Sequence, residues 1–219
     1  DVLVFGAATH DATATVPELE ESVWEQVLRV NLTGAYLVSK ACLPVMIKRG
    51  GGSVILIASQ LGRVASPGRA AYCTTKGALI QLAKVMAADH AAQGIRVNTL
   101  SPGAVETERL VRRWGDMDKA REIMAPKHLL GRLGQPDEIA RAALFLASPA
   151  SSFMTGADLL AARGIDWPDL RKIQESRRAA MTDCLQEIII RRRGSEDEDS
   201  LYGVAISPTD VLVPYGMSI

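Results

Sequence analysis

Tyr72 and Lys76 stand four residues apart in AAYCTTKGALIQLAKVMAADHAA, residues 70–92, a stretch that reads as a helix. Positions i and i+4 of a helix are neighbours on one face, so the phenol and the ammonium can serve one site. A free phenol has a pKa of about 10, too high for a base at neutral pH, and a cation held close lowers such a value by roughly one to three units. The pair therefore has the makings of a proton-transferring tyrosine. Alone, the spacing more often marks a surface tyrosine beside a solvated lysine. Ser59 shifts that balance, because it lies at the carboxyl end of an apolar run, where open α/β sheets carry their ligand sites. A hydroxyl there can hydrogen-bond a carbonyl or alcohol oxygen while the tyrosine exchanges its proton.

The elements that must hold these side chains follow from the apolar pattern. Residues 2–5, 53–58 and 95–100 are apolar runs too short for helices and of the kind expected for strands buried on both faces, and GADLLAA at 156–162 supplies a fourth. Between them, 22–48 reads as one long amphipathic helix. Ser22 and Glu25 form its expected capping box, and Val23, Val27, Val30, Gly34, Leu37, Ala41 and Val45 form its apolar stripe. GQPDEIARAALFLAS at 134–148 is a further helix. Apolar strands alternating with helices predict an α/β fold with a parallel sheet covered on both faces. Residues 108–130 are polar, with short helical patterns; Arg109, Arg112, Arg113 and Trp114 there fit solvated charge as well as carboxylate binding.

Composition narrows the partner. Lys+Arg equals Asp+Glu at 25 each, so no net field favours nucleic acid or an anionic membrane, and a small neutral or amphiphilic molecule fits better. No uninterrupted apolar run approaches the roughly 20 residues of a membrane span. Cys42, Cys73 and Cys184 lack metal-ligand spacing and read as free thiols of a reducing compartment, so a cytoplasmic location is expected. His10, His90 and His128 have no acidic or cysteine companions at ligand spacing, so no metal site is expected, and Ser59 lacks the G-x-S-x-G elbow of a hydrolase. The chain opens on Asp1 directly before an apolar run, as though a preceding segment had been removed. The texture changes near residue 161: 161–219 reads as a separate tail with a helix carrying Leu170, Ile173, Met181, Leu185 and Ile188, an acidic loop GSEDEDS, and the strand-like pieces LYGVAIS and DVLVP.

Five ordered pieces, VNLTG (30–34), ILIAS (55–59), YCTTKGAL (72–79), IRVNTLSPGAVET (95–107) and GRLGQPDEIARAALFLAS (131–148), together resemble the short-chain dehydrogenase/reductase family in its shorter, single-domain branch. The resemblance covers residues 1 to about 160 and implies a Rossmann-like, doubly wound parallel sheet. It also implies an NAD- or NADP-dependent oxidoreductase that interconverts an alcohol and a ketone. Carried over residue by residue, Tyr72 is the general acid/base, Ser59 orients the substrate oxygen, Lys76 tunes the tyrosine and holds the nicotinamide ribose, and Asn31 helps organise a water relay to the lysine. Pro102, Gly103 and Thr107 fit the P-G-x-x-x-T pattern placed against the nicotinamide, and FGAA at 5–8 stands where the family has N-N-A-G, which sets Ala7 against the cofactor. Helices 22–48 and 72–92 would pair with those of a second subunit in a homo-oligomer.

The pattern is incomplete. No G-x-G-x-x-G or T-G-x-x-x-G-x-G occurs in the 219 residues, so the sheet is expected to lack its first strands and the glycine-rich turn that receives pyrophosphate. With that turn goes the residue that would distinguish NAD from NADP. The apolar strand at 2–5 would then present an unpaired edge prone to aggregation, unless LYGVAIS or DVLVP folds back over it. Two alternatives stand beside the enzyme: a non-catalytic protein of the same fold acting through dimerisation, and a sugar-nucleotide epimerase or dehydratase of the longer branch, which the short spacing and GQPDEIA disfavour.

Overall fold

The four apolar segments are the strands β1 (Val2–Phe5), β2 (Gly52–Ile57), β3 (Ile95–Pro102) and β4 (Asp158–Ala161) of one sheet, in this computed structural model that describes residues 1–161 apart from Ala12. Their order is β1-β2-β3-β4, and every neighbouring pair is parallel. Parallel strands need long crossovers, and helices provide them on both faces. The helices are α1 (Glu21–Leu28), α2 (Gly34–Lys48), α3 (Ala70–His90), α4 (Glu108–Trp114), α5 (Met117–Met124) and α6 (Pro136–Ala147). The expected tail helix and the pieces LYGVAIS and DVLVP lie outside the described residues.

Strand periodicity assigns the two faces. Val54 and Leu56 point into one core with Phe5, Ala35, Leu79, Ala83 and Val97, under α2 and α3. Ile55 points the other way, onto Leu100 and Leu146 under α6. Each Val, Leu or Ile side chain buried in this way contributes about 2 kcal/mol. Polar ties fix α6 in place. Ser53 Oγ donates to the Leu146 carbonyl at 2.8 Å, and the Arg96 guanidinium donates to the carbonyls of Leu146 and Ser148 at 3.0 and 3.2 Å, satisfying the end of the helix.

Four expectations need correction. β2 is buried on both faces, but β1 is not: Val2 and Val4 are 56% and 49% exposed, because α6 covers the central strands and stops short of the edge. The Ser22–Glu25 capping box does not form. The helix begins one residue earlier, at Glu21, and the reciprocal side-chain bonds occur instead where Glu18 accepts from the Thr15 N–H at 3.1 Å and Glu138 from the Gln135 N–H at 2.8 Å.

The long helix is also interrupted and rephased. Arg29–Thr33 form a π turn, in which the Gly34 N–H bonds the Arg29 carbonyl five residues back. Past that turn the buried residues are Ala35, Ser39, Leu43 and Met46, while Leu37, Ala41 and Val45 of the expected stripe face outward. One extra residue in a turn displaces a helical stripe by one position, which no 3.6-residue period anticipates. Finally, the combined helical run Glu21–Lys48 is long and apolar enough, by length and composition, to cross a membrane, although interspersed polar residues hide this from a search for continuous apolar runs. In the fold its buried side packs on the sheet, with Asn31 and Ser39 within it.

Candidate functional site

Three parallel strands deliver their carboxyl ends to one edge of the sheet, and the chain leaving each of them lines a cleft of about 200 Å³. Gly6 and Ala8 follow β1, Ala58 and Ser59 follow β2, and Pro102 and Gly103 close β3. The helix α3 brings Tyr72 and Lys76 to the same cleft, and Thr107 and Arg109 border it from the start of α4.

The helix α3 is anchored at its first turn by a residue far away in sequence. Asp11, buried, accepts from the backbone N–H groups of Ala71 and Tyr72 at 3.1 and 3.4 Å, so a carboxylate caps the positive end of the helix dipole. Arg69, also buried, donates to the Asp11 carbonyl at 2.9 Å and lies 3.7 Å from its carboxylate. The other side of α3 is held by Gly62: a Cβ there would sit 2.7 Å from the carbonyl carbon and oxygen of Lys76, so only glycine permits this approach. Tyr72 is thus fixed from one direction and Lys76 from another.

Lys76 is 2% exposed, and its Nζ donates to the Ile57 carbonyl at the end of β2 at 2.6 Å. One of three ammonium protons is used in this way, leaving two for the cleft. The Nζ lies 5.6 Å from the centre of the Tyr72 ring. Burial, and secondarily the charge of Arg109, pushes the lysine down to about 8. Ser59 Oγ accepts from the Leu61 N–H at 3.1 Å, which occupies a lone pair and leaves the hydroxyl proton to donate into the cleft.

Of the residues the sequence put forward, Ser59, Tyr72, Lys76, Pro102, Gly103 and Thr107 come together around this cleft. Asn31 and Ala7 do not line it. Asn31 lies behind it, fully buried in the π turn. It accepts from the Thr9 N–H at 2.7 Å and donates to the Thr9 carbonyl at 3.0 Å and to Thr75 Oγ1 at 3.1 Å, tying the loop after β1 to α3. At Ala7 the flanking Gly6 and Ala8 face the cleft instead. Asp11, sixty residues from the helix it caps, carries no local signal of that role. His10, set aside there for want of metal-ligand companions, packs its ring on Tyr72 with centroids 4.3 Å apart. Burial, then Arg109, Arg69, Lys76 and Arg113, pushes this histidine down to about 4, so it is neutral at pH 7.

The chain is similar to known oxidoreductases. The family model described as Enoyl-(Acyl carrier protein) reductase matches residues 1–166. The uncharacterized oxidoreductase YxbG of Bacillus subtilis is 38% identical over 186 residues, 80% of this chain and 67% of that protein. The 2-(S)-hydroxypropyl-CoM dehydrogenase 3 of Xanthobacter autotrophicus is 38% identical over 156 residues, 70% of this chain and 58% of its own length. Among solved structures, a gluconate 5-dehydrogenase from Burkholderia cenocepacia in complex with NADP and tartrate superposes with a TM-score of 0.68 at 40% identity, covering 74% of this chain and 62% of that one. The chain thus spans about three fifths to two thirds of the length of the relatives it matches.

Proposed function

The chain belongs to the short-chain dehydrogenase/reductase family, and on that footing we propose that it is an oxidoreductase interconverting a small-molecule alcohol and ketone with NAD or NADP, Tyr72 acting as general acid/base. The observation that carries this reading is the meeting of Ser59, Tyr72 and a buried Lys76 in one cleft at the carboxyl edge of a parallel sheet. In the oxidation direction Ser59 donates its hydroxyl proton toward the substrate oxygen and so holds the substrate, while Tyr72 takes the proton that the alcohol releases. The Lys76 ammonium, pinned to the Ile57 carbonyl, stabilises the negative charge that develops on the phenol oxygen. Reduction runs the same steps backwards. Asn31 is a positioning residue that holds Thr9 and Thr75 in register behind the cleft.

The residues present suit the nicotinamide–ribose end of a dinucleotide. Lys76 has two spare N–H donors, Pro102 and Gly103 bring backbone close to the cleft, and Thr107 Oγ1 forms no hydrogen bond among the described residues. When bound, the dinucleotide supplies the hydride acceptor or donor. The pyrophosphate end has no matching glycine-rich turn in the 219 residues.

Homo-oligomerisation belongs to the same proposal. Tyr36, Leu37, Val38 and Val45 on α2 and Val85 on α3 are exposed apolar side chains suited to a second copy. A dimerisation protein without catalysis would use the same face. Free Cys42 and Cys73 suit a reducing, cytoplasmic setting.

Fluorescence titration with NADH and NADPH, followed by an alcohol-oxidation assay on Tyr72→Phe, separates these readings. Cofactor binding with turnover reduced at least about a thousandfold in the variant is expected. Cofactor binding with turnover unchanged in Tyr72→Phe refutes the tyrosine's role. No binding by this chain leaves the dimerisation reading.

A further inference from the structure

A second cavity of about 90 Å³ opens beside the first, and Ser59, Tyr72, Gly103 and Arg109 border both. Its charged lining is of one sign: Arg69, Arg109 and Arg113, with no Asp or Glu among the lining residues. Arg69 is compensated by Asp11. Arg109 and Arg113 have no carboxylate within salt-bridge distance among the described residues, although other arginines of the same region do, such as Arg112 with Glu108 and Arg121 with Glu106. Arg113 instead lies over the Trp114 ring, 5.0 Å from its centre, which holds the guanidinium at the cavity. Two further polar atoms face burial without a hydrogen-bond partner, His10 Nε2 and Trp114 Nε1. Buried polar atoms left unmatched are uncommon, and here they lie on residues that line the same small space as two uncompensated cations.

We propose that this cavity is an oxyanion subsite, so that the substrate is a hydroxy or keto compound carrying a carboxylate, sulfonate or phosphate near its reacting carbon, held by Arg109 and Arg113 with the Trp114 N–H as a further donor. The proposal names the substrate class for the oxidoreductase reading and rests on it. Arg109 borders both cavities and so joins the anion to the reacting centre, while Arg113 belongs to the second cavity alone. Guanidinium geometry suits a planar carboxylate through paired hydrogen bonds, and neutral His10 completes the wall without adding charge. Leu61, Ala104, Leu110 and Met124 supply its apolar lining, and Gln60 a further polar side chain.

The test is binding, independent of turnover: tryptophan fluorescence and calorimetric titration with 3-hydroxybutanoate and with its uncharged amide, NADP being present throughout. The acid is expected to bind about tenfold or more tighter than the amide. Arg113→Gln is expected to abolish that preference and Arg113→Lys to restore part of it, both folding normally because Arg113 is exposed. Parallel titrations with 2-hydroxypropane-1-sulfonate and 2-hydroxypropyl phosphate identify which anion fits best. Equal binding of acid and amide by the wild type, binding of neither, or an Arg113→Gln effect equal on both ligands overturns the subsite. Loss of the Tyr72→Phe effect on turnover, with anion preference intact, would overturn the catalytic reading alone.

Discussion

Replacing Lys76 by Met removes a buried charge while keeping the length of the side chain, and the consequence can be worked through as a function of pH. The lysine titrates at 10.5 when unperturbed and at about 8 in the fold. Between those values the unfolded chain holds a proton that the folded chain has released, so wild-type stability rises with pH across that window and is level below it. Each unit corresponds to about 1.36 kcal/mol, so the whole window is worth about 3 kcal/mol. Methionine carries no charge at any pH, and with both proteins compared in a Tyr72→Phe background, which removes the titrating phenol beside Lys76, the remaining groups are common to the two and cancel in the difference. Relative to the protein that keeps Lys76, Lys76→Met should therefore be about 3 kcal/mol more stable at pH 7 than it is near pH 10.5, whatever the baseline set by the lost Ile57 hydrogen bond. Urea unfolding of both proteins at half-unit pH steps, followed by tryptophan fluorescence, measures this difference. A gap constant to within about half a kcal/mol from pH 7 to 10.5 would falsify the view that Lys76 is held as a desolvated cation.

Three other substitutions probe the supports of the site. Asp11→Asn keeps the shape of the α3 cap but leaves buried Arg69 without its counter-charge, and should cost about 3 kcal/mol in urea denaturation; a cost below about 1 would deny the pair its role. Asn31→Ala strands the Thr9 N–H and carbonyl and should cost about 2 kcal/mol, with faster amide exchange localised to residues 8–10; unchanged exchange there would contradict the tie. Gly62→Ala drives a methyl group into the Lys76 carbonyl, so a loss of about 1–3 kcal/mol is expected in thermal melts, with weaker cofactor binding in the same variant. A variant as stable as wild type would show that this approach is looser than drawn.

Strands were the most legible part of the fold. A run such as VILI announces a doubly covered strand, because both faces demand apolar residues and the period of two is masked by continuity. The site was legible to the extent that its chemistry is local: Tyr72 and Lys76 share a helix face, and Ser59 follows a strand. What stayed hidden depends on contacts between distant parts of the chain. Asp11 caps a helix sixty residues away, and no local pattern marks it. The exposure of Val2 and Val4 depends on where α6 stops, which the residues of β1 cannot report. The buried stripe of the long helix departs from the 3.6-residue pattern after residue 30 because a wide turn is invisible to any fixed period. Arg109 and Arg113 fit solvated charge and carboxylate binding equally well in the sequence, and only the fold sets them beside the candidate site with no acidic residue in the same lining.

That wide turn carries a consequence for what the segment tolerates. Val27 and Ala35 both face inward although eight positions separate them. At about 100° per residue a regular helix returns residues seven apart to within about 20° of one direction, and residues eight apart only to within about 80°. Deleting one residue between 29 and 33 should therefore let the two flanks run on as a straight rod with both inner faces still seated. The domain would survive the shortening, and what would vanish is the bulge that holds an amide out toward the loop after the first strand. The extra residue thus adds little to the seating of the two flanks and serves the tie that Asn31 makes to Thr9 and Thr75.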